Sequence, residues 1–546
     1  MNLKEKTISL IDALKATCQH YGIGNDGNEY KVITQVFLYK FINDKFGYEI
    51  KKVSPELNDA DKWDESYANM SEKTRKSLLN RLKADVPLLE PQHLISGLWN
   101  QQKKENFAQI FDSTMEEIAA KNEAIFATET VHKTRIPIFE KLTVYVTDDI
   151  QRSKFAGALV DKLVNFSFEE ALGEHYDFFA DIFEYLLKDY NTNGGGKYAE
   201  YYTPQSIAKI MAKLLIGEQK EFNSIEIYDP SAGTGTLVMA LSHSIGIDRC
   251  AIYTQDISQK SNKMLKFNLI LNGLVSSLQN AIQGDTLTSP YHRSDDNKSL
   301  RQFDFVVSNP PFKLDFSENW EKLSTMPERF WAGVPNVPRT KKDSMAIYTL
   351  FIQHVINSLK NETGKGAIVI PTGFITSKSG VERKILKRIV DEKIVYGCVS
   401  MPSNVFANTG TNVTVLFFDN ARNHDKVILI DASKLGEDYK DGKNKKRRLT
   451  EKDIELIINT FNNKESIDDF SIAVSYDDIK EKNYSLSAGQ YFDIKIDYVE
   501  ISQEEFEAKM NKYQSELQKY FEESDKLQKE IMEQLQNLKL SKNNIS

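Results

Sequence analysis

The chain has 546 residues, room for three or four domains at the usual ~100–200 residues each. Its 40% hydrophobic and 27% charged residues are the balance of a soluble globular protein, and 70 Lys+Arg against 78 Asp+Glu leave a charge of −8. That excludes a polybasic nucleic-acid coat, though not a local basic groove on an acidic body. The distant Cys18, Cys250 and Cys398 exclude a disulfide scaffold and a Cys-rich zinc site, and fit a reducing cytoplasm. No signal-like start is visible, and no run approaches the ~18 uncharged apolar residues of a membrane span, so no membrane partner is expected.

Residues 1–190 read as helical, with Ile33, Val36, Phe37 and Phe41 at three- and four-residue spacing and no clear alternating strand. The Gly-rich break at 191–196 ends this block. From there to about 430, β-rich runs at 224–228, 251–254, 303–307, 366–370, 394–399 and 413–418 alternate with amphipathic stretches such as 259–271 and 345–359. Strands alternating with helices predict a parallel sheet covered on both faces. Residues 431–500 read as a mixed connector. From 501 onward Ser502 and Glu505 make a capping box, and Phe506, Met510, Tyr513, Leu517 and Tyr520, resuming at Leu527, Ile531 and Leu538, stripe a long helix. Ser524 and Gln534 break the stripe, so a perfect coiled coil is not expected.

Two motifs carry chemistry. Asp229-Pro230-Ser231-Ala232-Gly233-Thr234-Gly235-Thr236 follows the first strand of the α/β block and opens a helix, a turn whose glycines let a ligand approach the backbone. Asp256 ends the next strand, where a carboxylate can take two ribose hydroxyls. The third glycine of the dinucleotide fingerprint is missing, since Val238 follows Thr236-Leu237, and there is no Gly-Lys-Ser/Thr. An adenosine-bearing ligand without pyrophosphate therefore fits better than NAD or ATP, which points to S-adenosylmethionine.

The second motif is Asn309-Pro310-Pro311-Phe312, straight after a strand. Two prolines cannot continue the ladder, and they fix φ at both positions. They hold the Asn309 side chain and the Pro310 carbonyl at the carboxyl edge of the sheet, where open α/β sheets bind ligands. Two acceptors on one amino group localise its lone pair on nitrogen, and Phe312 offers a face for stacking a ring.

These two motifs resemble the amino-methyltransferases, and Phe at the fourth position is similar to the adenine-specific DNA enzymes. Glu200-Tyr201-Tyr202-Thr203-Pro204-Gln205 resembles the segment that precedes the glycine-rich turn in the γ-type order. There the family covers the methionine part of the cofactor, and the same residues also suit an N-cap Thr203 with Pro204 at N1. Asp285 stands where the family uses an acidic residue near the adenine of the cofactor. With the 31–46 helix, the 283–287 turn, the 366–371 strand and the 401–406 and 412–418 segments, the chain resembles the methylation subunit of type I restriction–modification systems.

The resemblance implies a class I S-adenosylmethionine-dependent methyltransferase (Rossmann-like) sheet with an all-α N-terminal domain and a long C-terminal helix. It also implies methyl transfer to adenine N6 in double-stranded DNA, and a complex in which two such chains flank a specificity subunit, with a restriction or translocase subunit as a further partner. The rival readings are an N-methyltransferase acting on protein or RNA, and a non-catalytic nucleotide-binding scaffold. Lys443, Lys445, Lys446, Arg447 and Arg448 form a basic run suited equally to phosphates or to solvent. Arg329, Phe330 and Trp331 suit the border of an extruded base, and the two aromatics suit the core equally. The eight histidines show no ligand spacing, so no metal is expected.

Overall fold

The computed structural model describes residues 2–24, 27–173, 181–182, 185–186, 203–219, 221–406, 412–441, 444–492 and 501–542. The chain divides into two units, Met1–Phe492 and Asp493–Ser546.

The first unit is built on strands β1 (Thr128–Thr130), β2 (Arg135–Ile136), β3 (Ile225–Asp229), β4 (Cys250–Asp256), β5 (Ala281–Gln283), β6 (Phe305–Ser308), β7 (Lys365–Pro371), β8 (Val395–Ser400), β9 (Val413–Asp419), β10 (Lys426–Asp431), β11 (Glu437–Asp441), β12 (Asn444–Arg448) and β13 (Ser471–Ser475). Among the described residues, eleven of them form one sheet in the order β13-β10-β8-β9-β7-β6-β3-β4-β5-β1-β2, and β11 pairs with β12 alone. The centre, from β5 through β4, β3 and β6 to β7, is parallel, and β9 runs antiparallel between β7 and β8.

Period-two alternation sorts the side chains of these strands onto two faces. Ile227, Phe305, Val307, Ala367 and Val369 join one core, which also takes helices Gln205–Ile216, Thr236–Ile245 and Gln259–Leu271. Tyr228, Val306, Ile368 and Ile370 join the other, with helices Tyr348–Asn357 and Gly380–Asp391. Covering both faces is what lets the central strands be nearly continuous apolar runs. The N-terminal helices share the first core: Phe37, on the Gly27–Val53 helix, meets Phe267 edge to face at 5.9 Å.

Two differences from the sequence reading stand out. Among the described residues of the N-terminal block, strands β1 and β2 stand among the helices and extend the sheet beyond β5. Strands of three and two residues are too short to show an alternation. The stretch read as a connector also holds folded parts: β13 pairs antiparallel with β10, and the basic run lies largely in β12, where Arg447 donates to Asp438 at 2.9 Å and Arg448 reaches Glu437 at 3.5 Å. Lys443 lies outside the described residues.

The second unit is the helix Gln503–Lys542, opened as expected by Ser502 and Glu505, whose reciprocal hydrogen bonds are both 3.2 Å long. Among the described residues no helix is long and apolar enough to cross a membrane.

Candidate active site

At the carboxyl end of β3 the chain must turn sharply into the Thr236–Ile245 helix. Gly233 (φ 52°) and Gly235 (φ 85°) adopt left-handed conformations, and a Cβ on Gly235 would lie 2.3 Å from Leu265 Cδ1. The turn is held from several sides. The Gly233 N–H donates to Asp256 Oδ2 at 2.8 Å, the Ala232 N–H to the Gln255 carbonyl at 3.3 Å, and Asn268 Nδ2 to the Thr234 carbonyl at 3.1 Å. Asp256 also accepts the Ser258 N–H on Oδ1 at 2.8 Å, so each of its oxygens already serves the backbone while keeping a further lone pair. Burial raises its pKa above the ordinary aspartate value, against the two N–H donors, which lower it. Ile257, next in the chain, is 65% exposed, an apolar surface beside that carboxylate.

Asp229 is almost sealed, accepting the Ser231 N–H at 2.9 Å. Burial pushes its carboxyl up to about 8, opposed by the Ser231 hydrogen bonds and assisted by the charge of Asp256. The folded-state value lies above the unfolded one, so the stabilisation belongs to the protonated form. It is complete below about pH 4 and is lost as the pH rises towards about 8. Asp229→Asn is expected to remove this decline. Thermal melts from pH 4 to pH 8 should show the variant gaining on the wild type as pH rises, by up to roughly 1.4 kcal/mol per pH unit. A melting difference that does not change across this window would contradict a buried carboxyl.

β6 delivers the second motif beside the first. Ser308, its last residue, is hydrogen-bonded through Oγ to Ser231 Oγ at 2.6 Å, which ties the two turns together. Asn309 is 7% exposed and donates from Nδ2 to Thr203 Oγ1 at 2.9 Å, with Thr203 itself 5% exposed. Pro310 is buried, while Pro311 and Phe312 are half-buried, with Phe312 packed against the first core. Pro204, not Thr203, is the N-cap of the Gln205–Ile216 helix. A proline at the cap leaves the preceding hydroxyl free to face Asn309 instead. Glu200, Tyr201 and Tyr202 lie outside the described residues.

Asp285 leaves β5 on the same edge. Its Oδ1 accepts the Leu287 N–H at 2.9 Å and its Oδ2 the Thr288 hydroxyl at 2.7 Å, so it shapes its own turn. Thr286 Oγ1 donates to the Pro230 carbonyl at 2.7 Å, linking that turn to the glycine-rich one. Arg329 and Phe330 are buried in the second core, and Trp331 lies under the Arg388 guanidinium at 4.1 Å. Of the two readings open for the aromatics, Phe330 takes the core and Trp331 packs partly buried against it. Sequence reasoning missed the Thr203–Asn309 contact and the exposed Ile257. Only the second had a local signal, an apolar residue directly after the strand-ending acid.

The strand order, with one antiparallel strand inserted between the last two of a parallel run, is that of the Rossmann-like class I methyltransferases, and enzymes of this fold use S-adenosylmethionine. The likeness extends to a solved type I restriction–modification methyltransferase subunit from Streptococcus thermophilus (TM-score 0.73, 22% identity, covering 90% of this chain and 100% of that one). It extends also to a modification subunit of a type I restriction enzyme from Vibrio vulnificus (TM-score 0.52, 14% identity, 88% and 94%). A profile of the N-6 DNA methylase family matches residues 174–498, and the chain belongs to that family.

In sequence it is 30% identical over 331 residues to the type I restriction enzyme MpnII methylase subunit of Mycoplasma pneumoniae, covering 60% of this chain and 59% of that one. It is 30% identical over 359 residues to the MjaIX methylase subunit of Methanocaldococcus jannaschii, covering 62% and 60%. The matched stretches thus span 59% and 60% of these curated relatives' lengths.

Proposed function

We propose that the chain transfers a methyl group from S-adenosylmethionine to the exocyclic N6 of an adenine in duplex DNA, as the modification subunit of a type I restriction–modification complex. The observation that carries this reading is the hydrogen-bonded junction of the two turns, Ser231 to Ser308, which sets Asn309 beside the glycine-rich turn. When bound, S-adenosylmethionine supplies an electrophilic methyl group on a sulfonium. Asn309 Oδ1 and the Pro310 carbonyl accept the two amino hydrogens of the adenine. With Nδ2 already given to Thr203, the carboxamide turns its oxygen to the base. Drawing on both hydrogens keeps the nitrogen lone pair out of the ring, so no strong general base is needed. The target lies inside the duplex and must be extruded, at a cost of a few kcal/mol, and Phe312 stacks on it.

The cofactor site comprises Asp229, Ser231, Ala232, Gly233, Thr234, Gly235, Asp256 and Asp285, and the family resemblance assigns the segment Glu200, Tyr201, Tyr202, Thr203, Pro204 and Gln205 to the methionine end. The residues fit such a ligand. Asp256 keeps lone pairs for two hydroxyls, and Ile257 gives an apolar face for a purine. Asp256→Ala is expected to weaken S-adenosylmethionine binding by roughly 1.5–3 kcal/mol, the worth of charge-assisted hydrogen bonds. Calorimetry finding unchanged affinity would move the ribose to another carboxylate.

The partners in this reading are DNA, a specificity subunit flanked by two copies of this chain, and a restriction subunit, in a cytoplasmic complex. In functional terms, residues 1–190, 191–430, 431–500 and 501–546 act as helical block, catalytic block, connector and assembly helix. Labelled methyl transfer to duplex DNA, protein and RNA, with the specificity subunit present, tests the proposal. Label entering protein or RNA but not DNA would overturn it.

A further inference from the structure

Arg329 is a cation enclosed beneath the site, 8% exposed. Its Nη1 donates to the Leu287 carbonyl at 2.6 Å, and its Nη2 to the Thr286 carbonyl at 3.2 Å and to His354 Nδ1 at 2.9 Å. Met326 Sδ lies 3.5 Å from Nη1, and Nε has no partner. Among the described residues no carboxylate pairs with this guanidinium, an uncommon situation for a buried arginine. Burial pulls it down to about 10, which leaves it charged at neutral pH.

The groups it holds are not arbitrary. Thr286 and Leu287 form the turn opened by Asp285, and the Thr286 hydroxyl bonds that turn to Pro230 of the glycine-rich turn. On the other side, a guanidinium can only donate, so His354 Nδ1 accepts. The ring proton therefore sits on Nε2 and is donated to the Tyr228 hydroxyl at 3.1 Å. Burial and the Arg329 charge keep His354 neutral. Tyr228 directly precedes Asp229 in β3. One chain of hydrogen bonds thus runs from the turn after β5 through Arg329 and His354 to β3, and the Thr286–Pro230 bond closes the loop above it.

We infer that Arg329 is a positioning residue for S-adenosylmethionine, a clamp from the segment after the Asn-Pro-Pro-Phe turn that holds the Asp285 turn and the glycine-rich turn at one spacing. This rests on the cofactor site proposed above and names the group beneath it that keeps its two loops in register. A glutamine cannot span two carbonyls and the imidazole. A lysine keeps the charge but has one tip for three acceptors.

The test uses the full chain, with S-adenosylmethionine affinity read by calorimetry and backbone amide exchange read by mass spectrometry. Arg329→Gln should raise the dissociation constant at least tenfold, and Arg329→Lys should recover part of that loss. Thr286→Val, which cuts the link to Pro230 without touching the arginine, should raise it about fivefold. In all three, faster exchange should be confined to 229–236 and 284–289. If Arg329→Gln does not fold, Thr286→Val and Arg329→Lys decide alone. Affinity within twofold of wild type for Thr286→Val, or faster exchange spread over the whole sheet, would reduce Arg329 to a core residue and overturn the inference. A wild-type chain that binds no S-adenosylmethionine would instead overturn the cofactor site on which the inference stands.

Discussion

Asn309→Ala is expected to lower methyl transfer by on the order of 10²–10³-fold, the usual worth of a preorganised polar group aimed at a reacting centre, while S-adenosylmethionine affinity stays essentially unchanged. The separation follows from the geometry. The groups around the glycine-rich turn are held by hydrogen bonds to Asp256, Gln255 and Asn268, bonds in which Asn309 takes no part. Asn309 is held instead by Thr203. Thr203→Val is the companion measurement. Losing the hydroxyl that fixes the carboxamide should cost about 1 kcal/mol, several-fold in rate. If Thr203 served chiefly to cover the methionine end of the cofactor, the same substitution would lower affinity rather than rate. Single-turnover assays with the specificity partner, beside calorimetry, distinguish the two. A near wild-type rate for Asn309→Ala would remove Asn309 from the chemistry.

Truncation before Ile501 should abolish co-purification with the specificity subunit and leave cofactor binding intact. The Gln503–Lys542 helix presents Phe506, Met510, Tyr513, Leu517, Tyr520, Phe521, Leu527, Ile531, Met532 and Leu535 at 50–64% exposure. Monomeric proteins seldom leave so much apolar surface along one helix in water, and a helix gains most of its stability by burying such a face. Every one of these side chains is a site where burial against a partner would gain roughly 25 cal/mol per Å². The chain's −8 charge points the same way, since neutralising phosphates gives such a chain little non-specific affinity. A truncated chain that still assembled and methylated normally would sink the idea, as would a full-length chain that methylated a defined site alone.

What the sequence made legible is what local chemistry dictates. The glycine-rich turn, the double proline, the capping box at Ser502 and the helix Gln259–Leu271 all carry their signal within a few residues. The central strands could be read because burial on both faces makes them apolar along their length. β5 has no pattern of its own, because three residues do not make one, and only the family resemblance put Asp285 at the end of a third strand. The Thr203–Asn309 bond joins residues 106 positions apart, and nothing local to either announces it. Arg329 was opaque for a related reason. Its segment has no periodicity, and the sequence suggested the rim of an extruded base, while the fold encloses it beneath the turns after β3 and β5. Glu200, Tyr201 and Tyr202 were legible as a motif, but they lie outside the described residues.

The two short strands at the far edge of the sheet bear on how this protein can be cut. β1 pairs in parallel with β5, and the Val131 N–H continues that ladder to the Gln283 carbonyl at 3.0 Å. Removing the N-terminal block would therefore uncap the strand that leads into Asp285 and strip Phe37 from Phe267 at the same time. A catalytic fragment starting near residue 191 would carry an open, hydrogen-bond-hungry edge next to a bared aromatic face, the combination that seeds strand-to-strand aggregation. Shorter fragments cut from this chain should for that reason keep the helical block, and the β1–β5 seam is no place for a boundary.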